Sequence, residues 1–224
     1  MNKNLRKLTL IIIAILSLTS LITAKNKPSE ISTNYFPIES NVAMVYKSSF
    51  GETITEYFQD GEFAISSSEA DDFRYRQIMI IKENGVYVKE TYQFLNVFLF
   101  INKESTSTYG EPLLRFPLPM SPGTAWSWEG DEYSDGDTSI VTVTGQVLDT
   151  EYITTKAGRF ETIKLKTIVE GESGSKNIVT EWFAEDIGLI KAEIIIEGGG
   201  MMGFLRDLLG YGTIEFELEE IRKQ

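Results

Sequence analysis

The side chains able to do chemistry in this chain carry oxygen, not imidazole or sulfur. Its 224 residues include no histidine and no cysteine. A Ser–His or Cys–His nucleophile pair is therefore impossible, and the usual zinc ligands are missing. Catalysis would fall to a Ser–Lys pair, which has no signature in one sequence, or to carboxylates. Glu181, Glu193, Glu215 and Glu217 lie on strand-like stretches and could face one another across a sheet. Glycoside hydrolysis needs two carboxylates facing each other in this way. The same alternation is what a water-facing strand shows, so the chain is expected not to be an enzyme, with a carboxylate-based glycan hydrolase as the outlying reading.

The densest acidic cluster is Asp131-Glu132-Tyr133-Ser134-Asp135-Gly136-Asp137. An EF-hand loop starting at Asp131 would want Asp or Asn at its third place and Glu at its twelfth, where Tyr133 and Thr142 stand instead. Asp131, Asp135 and Asp137 remain a weak calcium candidate. The expectation is an acidic hairpin tip, no metal and no cofactor. Trp126 and Trp128 share one face of a strand and could, with Trp182, stack on a sugar; large aromatics on strands more often pack in a core.

One segment breaks the pattern around it. "EGGGMMGFLRDLLGYGT" (Glu197 to Thr213) sets Met201, Leu205 and Leu208 at helical spacing, and Met202, Phe204 and Leu209 widen the apolar stripe. Gly198, Gly199 and Gly200 before it, and Gly210 and Gly212 after it, are candidate hinges. A helix of under three turns is not stable alone in water and must dock. It could cap the core of its own sheet. It could instead be a hinged lid over an apolar cavity, where these six residues with Trp126 and Trp128 would touch a ligand. Docking on a membrane or partner is a third option, although the Lys/Arg face of an interfacial helix is lacking.

The elements that must position these residues are strands. Ile214, Phe216 and Leu218 alternate with Glu215, Glu217 and Glu219; Ile163 and Leu165 alternate with Lys164 and Lys166; Ile190, Ala192, Ile194 and Ile196 oppose Lys191, Glu193 and Glu197. Asp60-Gly61, Asn84-Gly85 and Asp135-Gly136 read as hairpin turns able to supply positive φ, and Ala157-Gly158 as a fourth turn. These signals predict ten to twelve strands: an all-β, mainly antiparallel fold, either a strongly curved sheet or an incomplete β-barrel, with one short helix near the C-terminus.

A short repeat supports a strand-start device used twice. Pro37, Ile38, Asn41, Met44 and Tyr46 align without gaps to Pro119, Met120, Gly123, Trp126 and Trp128. Proline stops the preceding element, Asn or Gly takes a left-handed turn, and two bulky residues spaced by two point to one face. Residues 35–224 are expected to form a single β domain after a 25–34 linker, with two related halves, 35–115 and 116–224, as an open alternative.

Residues 1–24 read as a signal peptide or N-terminal anchor. Lys3, Arg6 and Lys7 precede an apolar run from Leu8 to Ala24 that ends in a small residue. Either way, residues 25–224 are expected outside the cytoplasm, periplasmic or extracellular, with residues 8–24 holding the chain to the inner membrane if uncleaved. Without cysteine, neither lipid acylation nor a disulfide is available. The chain carries 21 basic and 33 acidic residues; cleavage would leave a formal charge of −15. Such a surface repels phosphate backbones, so no nucleic-acid partner is expected.

Several blocks together resemble a family. Tyr35-Phe36-Pro37-Ile38 with Asn41, Met44 and Tyr46 is similar to the opening of exported TapB-like domains, a bacterial group without established biochemical activity. Pro119, Gly123 and Trp126 resemble that group's second block. Thr155-Lys156-Ala157-Gly158-Arg159-Phe160 resembles its "T-x-A-G-x-F" hairpin, and Trp182-Phe183-Ala184 with Gly188-Leu189-Ile190-Lys191 its strand pair. Asn41 and Met44 replace the Gly and Trp of the pattern. The resemblance implies an exported β-domain and no catalytic residue.

The leading expectation is a non-enzymatic exported binding protein that holds an apolar or lipid-like small molecule under residues 198–212. The alternative is a structural or assembly component of the cell envelope that meets an envelope protein through sheet edges or an exposed Phe94–Phe100 stretch (Phe94, Leu95, Val97, Phe98, Leu99, Phe100).

Overall fold

Period-two alternation becomes twelve antiparallel strands in the computed structural model, which describes residues 35–38, 41–98, 101–172, 174–198, 206 and 212–223. In chain order they are β1 (Val42–Ser48), β2 (Gly51–Asp60), β3 (Phe63–Ala70), β4 (Phe73–Lys82), β5 (Gly85–Phe98) and β6 (Ile101–Pro117). Then follow β7 (Ala125–Ser134), β8 (Asp137–Thr155), β9 (Gly158–Gly171), β10 (Ser175–Ala184), β11 (Gly188–Gly198) and β12 (Thr213–Lys223). Each strand pairs with its neighbours in sequence, and β1 pairs with β12 as well, Met44 opposite Ile221 and Ser48 opposite Phe216. The barrel is therefore closed, not incomplete. Closure gives both terminal strands a partner on each side; the ring is least zipped between β6 and β7, where Ser107–Ser134, Thr108–Tyr133 and Tyr109–Glu132 are the paired residues.

Alternation sorts the side chains into two populations. Ile214 and Leu218 on β12, Ile163 and Leu165 on β9 and Ala192 and Ile196 on β11 are buried. Lys166, Glu193, Glu215 and Glu217 stand on the opposite face. An outer surface so charged suits water; a membrane barrel would need an apolar band there. Among the described residues no helix is long and apolar enough to cross a membrane.

One end of the barrel is packed shut. Phe36, Phe116 and Phe183 meet there, with Phe36 stacked on Phe116 at 6.0 Å between ring centroids and Phe183 5.7 Å from Phe116. Met44, Met79, Val86, Leu118 and Met120 complete this core. Each such side chain contributes about 1.5–3 kcal/mol by leaving water. The segment before β1 enters the plug, with Pro37 against Gly188, where a Cβ would lie 3.1 Å from the proline ring.

Both strand starts take the expected backbone. Asn41 has φ 51° and Gly123 φ 89°, and the residues that follow, Met44 and Tyr46 on β1 and Trp126 on β7, are buried. β1 and β7 lie six strands apart around the ring. At Asp135 and Gly136 both φ values are positive, 53° and 90°, as the two-residue hairpin demands. Asn84-Gly85 departs from expectation: neither residue has positive φ, and Gly85 is needed for space, because a Cβ there would lie 2.9 Å from Leu114 Cδ1.

Residues 1–24, expected to be a signal peptide or an N-terminal anchor, lie outside the described residues. So does most of the expected short helix, including Met201, Met202, Phe204, Leu205, Leu208 and Leu209 and the hinges Gly199, Gly200 and Gly210. Within that stretch Arg206 is described and has helical backbone. Gly198 ends β11, and Gly212 accepts a 3.2 Å hydrogen bond from the Ile196 N–H beside β12.

Candidate functional site

The other half of the bore is hollow. A cavity of about 540 Å³ begins above the aromatic plug and reaches towards the end where β1 turns into β2 and β3 into β4. Its floor is an ion pair. Arg115 donates to Glu181 Oε1 at 2.6 Å and to Gln77 Oε1 at 3.1 Å. The guanidinium also lies 5.3 to 5.6 Å from the ring centres of Phe36, Phe116 and Phe183. It thus caps the plug with a cation over three π-faces.

Local backbone irregularity aims Arg115. Pairing between β5 and β6 runs from Tyr87–Leu114 to Val86–Phe116, leaving Arg115 as the extra residue of a bulge. The neighbouring irregularity near Glu181 is on β11, where Ile190 is the extra residue between the Trp182–Lys191 and Phe183–Leu189 pairs, while Glu181 keeps regular pairs with Ala192 and Leu165. Bulges re-aim side chains in this way and commonly stand beside functional sites. Burial opposes the charge on Arg115, but Glu181, Tyr75 and Tyr57 outweigh it and hold the guanidinium above the usual arginine range.

The walls differ. On β2 to β6 the lining includes Thr55, Ser66, Ser68, Thr91, Gln93 and Ser107. Thr55 pairs with Ser68 across the strands at 2.8 Å, and Ser105 with Ser134 at 2.9 Å. On β8 to β12 it is mainly aliphatic, with Val141, Val143, Val169, Val179, Ile194 and Ile214, interrupted by Thr167 on β9 and by Ser175, Asn177 and Glu181 on β10. Phe50 and Phe73 stack at 4.4 Å higher in the bore, with Phe216 6.1 Å from Phe73. Burial raises the Tyr57 phenol to about 12, despite Arg115 nearby. Tyr46, Tyr75 and Tyr109 are likewise pushed up, first by burial; for Tyr109 the neighbouring Tyr75 and Glu132 add to it.

Chemically, the site offers hydroxyls, amides, one neutralised cation and a large apolar surface. Of the four glutamates considered for hydrolysis, Glu181 alone lines the cavity. Glu193 and Glu215 are opposite one another on the outer face, and Glu217 is opposite Lys191. They do not share a cleft with Glu181.

Trp126 and Trp128 point into the bore but pack as core instead of lining the cavity. The Trp126 ring lies flat over Gly145, and Trp128 lies over Gly130 and edge-on to Tyr109 at 5.8 Å. Trp182 is on the outer face, roofed by Lys164 and Lys191 at 4.8 and 5.2 Å, with its indole N–H donating to Glu151 at 2.7 Å. The three tryptophans form no common sugar platform. Asp135 turns the β7–β8 hairpin, with Asp131 and Asp137 on its arms; among the described residues no three metal-binding groups gather. The Phe94–Phe100 stretch is not a uniformly exposed patch. Leu95 is buried because its register opposite Phe73 turns it inward, and Phe94 lies under Arg74 at 5.3 Å. The side chains of Val97, Phe98, Leu99 and Phe100 lie outside the described residues.

Sequence reasoning missed Arg115. Its signal was a lone cation set among Leu113, Leu114 and Phe116, where an ordinary strand core would be apolar.

Comparison with known proteins adds a family match over part of the chain: a model described as DUF3108-like matches residues 131–205. No curated protein matches. Among solved structures, a Bacteroides fragilis protein described as exported and YmcC-like in fold is 16% identical, with 84% of this chain and 98% of that one covered and a TM-score of 0.44. A Parabacteroides distasonis protein described as a lipoprotein is 14% identical, with 84% and 98% covered and a TM-score of 0.39. The Escherichia coli protein YmcC, described as a hypothetical lipoprotein, is 10% identical, with 84% and 88% covered and a TM-score of 0.39.

Proposed function

We propose that this protein is an exported, non-enzymatic binding protein that holds a small apolar or lipid-like molecule inside its barrel. The observation that carries the reading is the asymmetry of the bore: aromatic packing fills one end, while about 540 Å³ stays open beyond it. That volume lies in the range of small-molecule sites, which combine apolar walls with a few placed polar groups. A barrel whose sole task was structural would gain stability by filling this space, because buried voids forfeit contacts. The basic start and apolar run of residues 1–24 support export. The DUF3108-like match and the blocks resembling TapB-like domains are compatible with this reading, and placement within the TapB-like group is part of it.

The test is native mass spectrometry of the full chain expressed in a bacterium and purified without detergent. An added mass that leaves on activation, and is absent when Val143→Trp fills the cavity, is the expected result. A bare mass that stays unchanged after incubation with envelope lipid extract would overturn the proposal.

A further inference from the structure

Around the barrel the cavity lining shifts from mostly hydroxyls and amides on β2 to β6 to mostly aliphatic side chains on β8, β11 and β12, with Thr167, Ser175, Asn177 and Glu181 as polar members on β9 and β10. Ser66 on β3, Thr91 on β5 and Ser107 on β6 face a wall formed by Val143 on β8, Val179 on β10 and Ile194 on β11. An amphiphile with a polar head and a straight chain would need one wet end and a uniformly apolar bore. In this bore such a chain would have one side of its methylenes pressed against hydroxyls, which would lose water and gain no partner.

On the reading that the cavity binds a small molecule, we propose that its ligand is a rigid, non-anionic facial amphiphile, with hydroxyls or amides on one face and hydrocarbon on the other. The polar face lies against β3, β5 and β6, where Ser66, Gln93 and Ser107 have no side-chain hydrogen-bond partner among the described residues. A serine hydroxyl both donates and accepts, so it suits a hydroxylated partner of either sense. The apolar face lies against Val143, Val179 and Ile194. An anionic group is disfavoured because Arg115 is already neutralised by Glu181 at 2.6 Å and because Glu132 also lines the cavity. Rigidity favours binding, since a ring system presents both faces without the rotor freedom that a chain must give up.

The experiment is isothermal titration of the full chain with three uncharged probes below their aggregation concentrations. Methyl cholate carries three hydroxyls on one face of a steroid. Methyl cholanoate is the same skeleton without them. Monolaurin has a glycerol head and a straight chain. Methyl cholate is expected to bind tightest. Ser66→Ala with Ser107→Ala should weaken it roughly two- to tenfold while leaving methyl cholanoate unchanged. Val179→Ser should weaken both steroids, and urea unfolding of each variant checks that it is folded. Monolaurin binding as tightly as methyl cholate, or equal loss for both steroids in the serine variant, would overturn the facial reading and leave the binding reading standing. If no probe binds but a ligand co-purifies from cells, the structure of that ligand decides: a two-faced ring system supports the proposal and a linear chain overturns it. A bare protein that takes up no probe and no envelope lipid would overturn both.

Discussion

Arg115 on β6 and Glu181 on β10 meet at 2.6 Å across the bore, although three strands separate them along the sheet. No backbone register brings them together; the closure of the barrel does. Their side chains are 17% and 11% exposed, so each depends on the other to offset lost hydration.

Glu181→Leu should therefore destabilise the barrel by about 3 kcal/mol, since it strands a buried cation. Arg115→Met combined with Glu181→Leu should recover most of that loss, because two apolar groups need no mutual charge. Urea unfolding measures both. A double variant as unstable as the single one would show that the pair does not act as a unit.

Stability should fall on the alkaline side, between about pH 10 and about 12. The Tyr57 phenol ionises near 10 when unfolded and at about 12 when folded, burial being the main cause. Its contribution is complete below pH 10 and lost as pH rises through 12, because the unfolded chain gives up its proton first. Tyr46, Tyr75 and Tyr109 shift in the same direction. The Tyr57 contribution is roughly 2–3 kcal/mol. Alkaline unfolding followed by phenolate absorbance should be shallower in Tyr57→Phe; an unaltered profile would count against this assignment.

Gly145→Ala should cost about 1–3 kcal/mol, as overpacking does. The strand backbone at Gly145 is ordinary, but the Trp126 ring occupies the space a methyl would need. Adding Trp126→Leu to Gly145→Ala should recover part of the loss in thermal denaturation. If Gly145→Ala alone were neutral, the ring would have another place to go.

Trp182 should report an acid titration on the outer wall. Its indole N–H and then Lys164 hold the Glu151 carboxyl below the usual carboxylate range. Stability from this group is present above the ordinary carboxylate pKa and lost as pH falls through the lowered one. With a Glu151 side chain 43% exposed, the energetic effect is small and salt-screened. The fluorescence effect is not: emission should shift at that lowered pKa and stay level in Glu151→Gln. A shift that survives the substitution would point to another group.

Much of the architecture was legible from local pattern. Ile214, Phe216 and Leu218 alternate with glutamates, and side chains two apart share a strand face, so their inward direction needed no structure. Asn41 and Gly123 were readable as left-handed starts because few other residue types accept that backbone. Trp182 could be weighed as a partner of Trp126 and Trp128 because its alternation phase says only that it faces away from Phe183, not which face is the inner one. Arg115 was missed for a different reason: a bulge at β6 breaks the period of two, and periodicity cannot read through a break in itself.

Composition and spacing determined by themselves that the chain has no histidine or thiol chemistry, that its strands are half-buried and antiparallel, and where several of its turns and strand starts fall. These properties depend on residues a few positions apart. Tertiary structure alone decided that β1 closes on β12, that aromatic residues fill one end of the bore, and that a hydroxyl-rich wall from β2 to β6 faces a mainly aliphatic wall from β8 to β12 across a cavity. Those properties depend on which strands stand opposite each other around a closed ring. That is a relation between distant segments, set by strand number and register, which no window of local sequence contains.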